Sequence, residues 1–153
     1  MFKSLKSDFG AVGDGVTDDT LSIQSAINSG DPIWVDEGVY LSDTLTVSSP
    51  LILAGPSYWK AKIKLRTAGT NLITGNGVSG IKIAGIALEG SASVTSGVTN
   101  IERLVYFINS NDLTLSEILF LNANDGIHAQ SCRNVISDRN VFKKMLRQDE
   151  GVS

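Results

Sequence analysis

The chain has 153 residues, enough for one domain with a substantial core, since a chain of this size buries roughly 70% of its unfolded surface. Its 13 Lys and Arg against 16 Asp and Glu give a net charge of -3 without a basic block, which argues against nucleic acid as a partner. No segment approaches the ~20 apolar residues of a membrane span, and the start lacks the apolar run of a secretory signal, so we expect no membrane insertion and no signal peptide in this chain.

The composition is typical of a turn-rich β protein. Charged residues make up 19% of the chain, and it contains 15 glycines. Cys132 and His128 are the only residues of their types, which excludes an internal disulfide and a zinc site with several nitrogen or sulfur ligands. We therefore expect no metal site and no cofactor.

Residues 8–20 are rich in glycine and aspartate and read DFGAVGDGVTDDT. The spacing does not match a calcium loop, a dinucleotide fingerprint or a phosphate-binding loop. It does match the start of a helix, because Thr17 or Asp18 can accept hydrogen bonds from free first-turn N–H groups, and Asp18 and Asp19 suit the positive helix end.

We predict that this helix runs from about Asp18 to Asn28. Ile23, Ala26 and Ile27 would lie on one side of it, which makes the helix amphipathic. The sequence NSG at residues 28–30 supplies a stop signal at Gly30.

Three later segments are similar to one another: GIKIAGIALEG from Gly80, DLTLSEILFLN from Asp112 and NVISDRNVFKK from Asn134. The second and third are offset by 22 residues, and the first and second by 32, so about ten residues within 90–100 would be looped out. Alternation within these segments predicts strands whose outward residues include Lys82 and Glu89. The predicted inward residues are Ile81, Ile83, Ile86, Leu88, Leu113, Leu115, Ile118 and Phe120.

The stretch DFGAVGDGVTDDTLSIQSAIN resembles the N-terminal signature of the pectate-lyase-like right-handed parallel β-helix proteins, which include phage tailspikes and polygalacturonase-type enzymes. The following PIWVDEGVYLSDTLTV is similar to the first coil of that family. The resemblance implies that the helix caps the N-terminal end and that Asp14, Asp18 and Asp19 have no catalytic role. We therefore predict an all-β fold, a right-handed parallel β-helix with a short N-terminal capping α-helix.

A single domain over 1–153 is expected, with an N-terminal strand and capping helix in 1–30. Coils would fill 31–153 and stop on an incomplete turn. Such an end exposes strand edges and apolar core unless something covers it. A longer polypeptide, a helical cap formed by FKKMLRQDE, or association of identical chains would each provide that cover.

The segment NANDGIHAQSCRNVISDRNVF resembles the polygalacturonase pattern in which an Asp-Gly pair opens a strand and the Asp is catalytic. The resemblance places that role on Asp125, and one coil later RQDEGVS supplies Asp149 and Glu150. A glycosidase needs two carboxylates beside the scissile bond, and equivalent positions on adjacent coils lie ~4.8 Å apart. His128 is a candidate proton carrier or sugar hydrogen-bonding group.

Aromatic side chains are candidate sugar contacts, because the apolar face of a sugar ring packs on them. Tyr58 and Trp59 lie in the predicted loop SYWK, where the alternative is packing against the core. Tyr106 precedes His128 by 22 residues, so the two positions should stack on adjacent coils. Arg133 completes the candidate substrate-binding set.

Two functions from different classes fit these features. One is a tailspike-like or pectinase-like module that binds an extended cell-surface polysaccharide, as a homotrimer or as part of a larger tail assembly. The other is a polysaccharide hydrolase or lyase that uses Asp125 with Asp149 or Glu150. Either function implies a virion tail or extracellular location.

Overall fold

The computed structural model describes residues 1–91 and 101–145. Within these ranges the chain forms one helix, α1 (Thr20–Ser29), and sixteen strands. The strands are β1 (Lys3–Ser4), β2 (Asp14–Asp18), β3 (Ile33–Trp34), β4 (Gly38–Ser42), β5 (Leu45–Val47), β6 (Leu51–Ala54), β7 (Ala61–Leu65), β8 (Ile73–Asn76), β9 (Ser79–Ala84), β10 (Ala87–Glu89), β11 (Arg103–Ile108), β12 (Asn111–Ser116), β13 (Leu119–Leu121), β14 (Asp125–Gln130), β15 (Arg133–Asp138) and β16 (Val141–Lys143).

The strands form three parallel sheets that the chain visits in turn. Sheet A has the order β1-β3-β6-β9-β12-β15, sheet B has β16-β13-β10-β7-β4-β2, and sheet C has β14-β11-β8-β5. The first winding contributes β1 and β2 to sheets A and B and is followed by α1, and from β3 onward every third strand joins the same sheet, so each winding adds one strand to each sheet. This arrangement is the right-handed parallel β-helix that the sequence predicts.

Adjacent coils pair in the register that the repeat predicts. Leu113 pairs with Ile81 on one side and with Val135 on the other, and Phe120 pairs with Phe142. The inward side chains are buried as expected. Of the two predicted outward residues Lys82 is exposed, but Glu89 is only 7% exposed because neighbouring polar side chains lie against it.

Helix α1 covers the N-terminal side of the coils, in the position predicted for a cap. It begins at Thr20 and not at Asp18, because Asp18 still belongs to strand β2. Ile23, Ala26 and Ile27 are its buried residues, and Gly30 ends it in the left-handed conformation at φ 78°. The Gln24 side chain also donates to the carbonyl of Thr46 and accepts from its N–H, which satisfies backbone groups of β5.

The glycine and aspartate stretch before α1 is a structural element. Asp19 is 2% exposed, and its carboxylate accepts hydrogen bonds from the backbone N–H groups of Val12 and Gly13, at 2.7 and 3.0 Å. A Cβ on Gly13 would lie 2.7 Å from the Tyr40 ring, so this turn requires glycine. The N-cap of α1 is Asp19, not the predicted Thr17 or Asp18, and its side chain makes no capping hydrogen bond. Asp18 accepts at Oδ1 from the N–H of Thr20, the first helical residue.

The connections between sheets differ in length, which determines where loops border the outer faces of the sheets. One residue with positive φ turns the chain between sheets A and B in successive coils, namely Gly85, Glu117 and Arg139. The connections from sheet B to sheet C vary in length among coils, at residues 43–44, 66–72, 90–102 and 122–124. The start of each sheet C strand is therefore bordered by loops.

The C-terminal segment considered as a helical cap begins as a strand. Val141–Lys143 forms β16 and pairs with β13. The remainder of that segment, from residue 146, lies outside the described residues, as do residues 92–100 of the predicted loop.

Replacing Asp19 with Ala should destabilise the fold by about 3 kcal/mol, because two N–H groups lose a buried charged acceptor. The free energy of unfolding from urea titration measures this loss. Asp31→Ala is the matched control, because Asp31 is exposed and follows the same helix. Equal stability of the two variants would contradict the structural role of Asp19.

Candidate functional site

The candidate site residues named from the sequence lie on three different sides of the coil stack. Tyr106 and His128 belong to sheet C, and Arg133 opens β15 in sheet A. Tyr58 and Trp59 lie in the loop that precedes β7 of sheet B. The structure therefore brings His128, Tyr106 and Asp125 together and separates Tyr58, Trp59 and Arg133 from them. Asp149 and Glu150 lie outside the described residues.

Sheet C carries a row of aligned polar and aromatic side chains. Its members, which we call the sheet C row, are Thr46, Thr74, Tyr106 and His128, paired in register from β5 to β14. The Tyr106 and His128 rings are 5.3 Å apart between centroids, as the 22-residue spacing predicts. Three strand spacings make the row roughly 14 Å long, parallel to the axis of the coils.

A buried carboxylate supports the C-terminal end of this row. Asp125 Oδ2 lies 3.3 Å from Arg103 Nε and 3.8 Å from His128 Nδ1. The Asp125 side chain is 0% exposed, whereas those of Arg103 and His128 are 22% and 23% exposed. Arg103 also places Cζ 4.9 Å from the centroid of the Tyr106 ring. A ligand at this surface would meet the guanidinium, the imidazole and the phenol ring before the carboxylate.

A second buried carboxylate, Glu102, ties the loops beside sheet C together. It is 1% exposed and accepts hydrogen bonds from the N–H groups of Gly69 and Ser91, at 2.9 and 3.2 Å. The N–H of Glu102 itself donates to Asn124 Oδ1 at 2.8 Å. Glu102 thus joins the connections of three successive coils. Sequence reasoning missed it and Arg103, because neither residue belongs to a recognisable motif.

The outer face of sheet B carries a different set of charged groups. Lys62 Nζ lies 2.8 Å from Glu89 Oε2, and Asn122 donates to Glu89 Oε1 at 2.9 Å. Arg66 contacts Asp18 and Asp43, each at 2.8 Å. Lys62, Arg66 and Glu89 border an open groove of about 550 Å³, which we call the sheet B groove. Its lining residues are Gly15, Val39, Leu41, Lys62, Lys64, Leu65, Arg66, Glu89 and Ser91.

Burial alone would raise the pKa of the Glu89 carboxyl. The hydrogen bond and the charge of Lys62 oppose this effect, with smaller contributions from Asn122 and Lys64, and together they hold that pKa below its usual value. Glu89 is therefore an ionised, fixed hydrogen-bond acceptor at neutral pH.

The loop with Tyr58 and Trp59 extends across sheet B. Trp59 is 73% exposed, and its ring lies 5.7 Å from Lys143 Nζ on β16. Strand β16 is three strands away from β7, a distance of roughly 14 Å. The Tyr58 and Trp59 rings are 5.0 Å apart. These two aromatic side chains thus belong to the same side of the molecule as the sheet B groove.

In the described residues, the His, Cys, Asp and Glu side chains form no group of three or more that could hold a metal ion. Helix α1 has ten residues, too few to cross a bilayer, and no other helix in this part of the chain meets the length and hydropathy that a membrane span requires.

Sequence comparison assigns a family to these coils. The family model described as rhamnogalacturonase A/epimerase, pectate lyase-like, matches residues 6–152. The chain belongs to this family. No curated protein is similar enough in sequence to match the chain.

Solved structures from several kinds of protein share the fold of this pectate-lyase-like chain. The A-module of an Azotobacter vinelandii mannuronan C-5 epimerase is 21% identical with a TM-score of 0.70, and the match covers 91% of this chain and 51% of that one. A surface adhesin of Streptococcus pneumoniae is 22% identical with a TM-score of 0.74, covering 93% and 39%. Gene product 12 of bacteriophage phi29 is 19% identical with a TM-score of 0.56, covering 90% and 21%. The chain thus spans about half or less of these structures.

In this pectate-lyase-like chain, Glu89→Gln should lower the free energy of unfolding at pH 7 by about 1 kcal/mol, because Lys62 loses its charged partner. The pKa of Glu89 is lowered in the folded state, so its contribution is complete above the ordinary value of 4.5 and is lost as the pH falls through the folded value. Urea unfolding at pH 7 and at acidic pH measures both effects. A difference in unfolding free energy between wild type and Glu89→Gln that stays constant down to acidic pH would contradict the lowered pKa of Glu89.

Proposed function

We propose that the chain is a tailspike-like or pectinase-like module that binds an extended cell-surface polysaccharide along the sheet C row. The observation that carries the proposal is the alignment of Tyr106 and His128 at 5.3 Å, with Arg103 over the Tyr106 ring. An aromatic ring packs on the apolar face of a sugar, while the imidazole and guanidinium offer hydrogen bonds to its hydroxyl or carboxylate oxygens.

The direction of the row supports a polymer as the ligand. Four aligned positions run across four strands for roughly 14 Å, so successive sugar units would meet successive coils. The family description and the epimerase among the fold neighbours support a polysaccharide as the class of ligand.

A second part of the proposal concerns the assembly that contains this chain. We propose that residues 1–153 form one β-helix domain of a larger protein or of a homotrimer at a virion tail or another extracellular surface. The adhesin and the phage protein among the fold neighbours support that setting. Light scattering on the purified chain distinguishes a monomer from a trimer.

Replacing Tyr106 with Ala should weaken binding of a recognised oligosaccharide about tenfold, because stacking on a ring and displacement of water contribute on the order of 1–2 kcal/mol. A glycan array identifies the oligosaccharide, and isothermal titration calorimetry measures its dissociation constant. Trp34→Ala is the matched control, because Trp34 is an exposed aromatic residue of sheet A. Equal weakening by both variants, or none by Tyr106→Ala, would contradict the proposed surface.

The second candidate function is a polysaccharide hydrolase or lyase that uses Asp125 with Asp149 or Glu150. The position of Asp125 beside His128, at 3.8 Å, favours it, because a carboxylate can orient an imidazole for proton transfer. With its side chain buried, Asp125 would act through His128 at the sugar.

Asp125→Asn should abolish any depolymerase activity while the circular dichroism spectrum stays that of the wild type. A reducing-end assay on pectin and capsular polysaccharides detects hydrolysis, and absorbance of the unsaturated product detects elimination. Thr114→Ala, at a half-buried position of sheet A, should keep full activity. Retained sugar binding without activity on a broad panel would exclude the enzyme and leave the binding module.

A further inference from the structure

We propose that the outer face of sheet B is a second saccharide-binding surface, selective for an acidic sugar. The carboxylate of the sugar would pair with Lys64 in the sheet B groove, and its hydroxyl groups would donate to Glu89. This surface is on a different sheet from the sheet C row, so the proposal stands independently of the function proposed above.

The charges of the groove point to an anionic ligand at one position. Lys62 is paired with Glu89, and Arg66 is paired with Asp18 and Asp43. Lys64 is half-buried, and within residues 1–91 and 101–145 it has no carboxylate oxygen inside 4.0 Å. Lys64 lies opposite Glu89 in the strand pairing and is attracted by its charge, but the ion pair of Glu89 is with Lys62, so among the described residues Lys64 is the lysine of the groove that has no ion pair of its own. An ammonium group without an ion pair favours a carboxylate or phosphate oxygen.

Glu89 is the proposed hydrogen-bond acceptor for the hydroxyl groups of the sugar. Its carboxylate is held by Lys62 at 2.8 Å and by Asn122 at 2.9 Å, which leaves further lone pairs on a fixed acceptor. Hydroxyl groups are the donors that a sugar offers to such an acceptor. Lys64 can bind an anion, and the neighbouring Glu89 can accept hydrogen bonds from hydroxyl groups. A sugar acid offers both groups, whereas a simple inorganic anion offers only the first.

The shape of the surface agrees with this chemistry. The groove has a volume of about 550 Å³, and Gly15, Val39 and Leu41 give it an apolar wall. Ligand sites typically measure roughly 300–1,000 Å³ and combine apolar walls with a few polar groups. Trp59, exposed on the same side of the molecule, supplies an aromatic face beyond the groove.

The test uses a hexagalacturonate, with a neutral hexasaccharide and inorganic phosphate as comparison ligands. The Tyr106→Ala variant is the background, because it weakens the proposed sheet C surface without touching sheet B. Amide chemical shifts in ¹⁵N spectra locate binding and titrate it. We expect shifts at Lys62, Lys64, Arg66 and Glu89, and weaker binding at higher salt.

In that background Lys64→Gln should weaken hexagalacturonate binding about tenfold, as expected for loss of a charge-assisted hydrogen bond. Lys64→Arg keeps the charge and should bind within about threefold of the background. Lys82→Gln, which removes an exposed lysine from sheet A, should leave binding unchanged.

Three results would overturn the proposal. Equal weakening by Lys64→Gln and Lys82→Gln would show that only overall charge matters. Shifts confined to sheets A and C would place the ligand elsewhere. Binding of the neutral hexasaccharide or of phosphate as tight as that of hexagalacturonate would remove the selectivity for an acidic sugar. If the sheet C row binds no sugar, the expected results at sheet B stay the same. The Tyr106→Ala background already weakens any binding at sheet C, so the two proposals fail separately.

Discussion

The structure depends on parallel strands of successive coils pairing in register, ~4.8 Å apart. Each inward position must then fit the equivalent positions above and below it, so the core consists of columns such as Ile81, Leu113 and Val135. The same pairing aligns the outward positions. A row of side chains on the outer surface, including Tyr106 and His128, is thus a direct consequence of the pairing that builds the core.

Much of the fold is predictable from the sequence because its signals are local or periodic. Alternation of apolar residues gives the strands, the 22-residue offset gives the register of Leu113 with Val135, and Gly30 marks the end of α1. What depends on neighbouring coils is not predictable in this way. Glu89 is covered by Lys62 and by Asn122, which lies 33 residues further along the chain.

The same limit applies to the candidate site. The spacing of Tyr106 and His128 predicts their contact, but the burial of Asp125 follows from the positions of Arg103 and His128 around it. The glycine and aspartate stretch at residues 8–20 is the opposite case, in which the sequence suggests a ligand site and the structure shows a turn. It resembles a ligand loop in composition, yet the Asp19 carboxylate is engaged by two backbone N–H groups of the same stretch. Composition alone does not separate a ligand site from a structural turn, whereas burial does.

Two outer faces of one coil stack carry different chemistry: a polar and aromatic row on sheet C, with Arg103 beside it, and a charged groove on sheet B. The central claim is that a polysaccharide lies along the sheet C row. A crystal structure of the chain with a bound oligosaccharide tests it most directly. The account predicts a sugar ring on Tyr106, with the oligosaccharide running parallel to the coil axis toward Thr74 and Thr46. A well-ordered oligosaccharide that leaves Tyr106 and His128 uncontacted would contradict it.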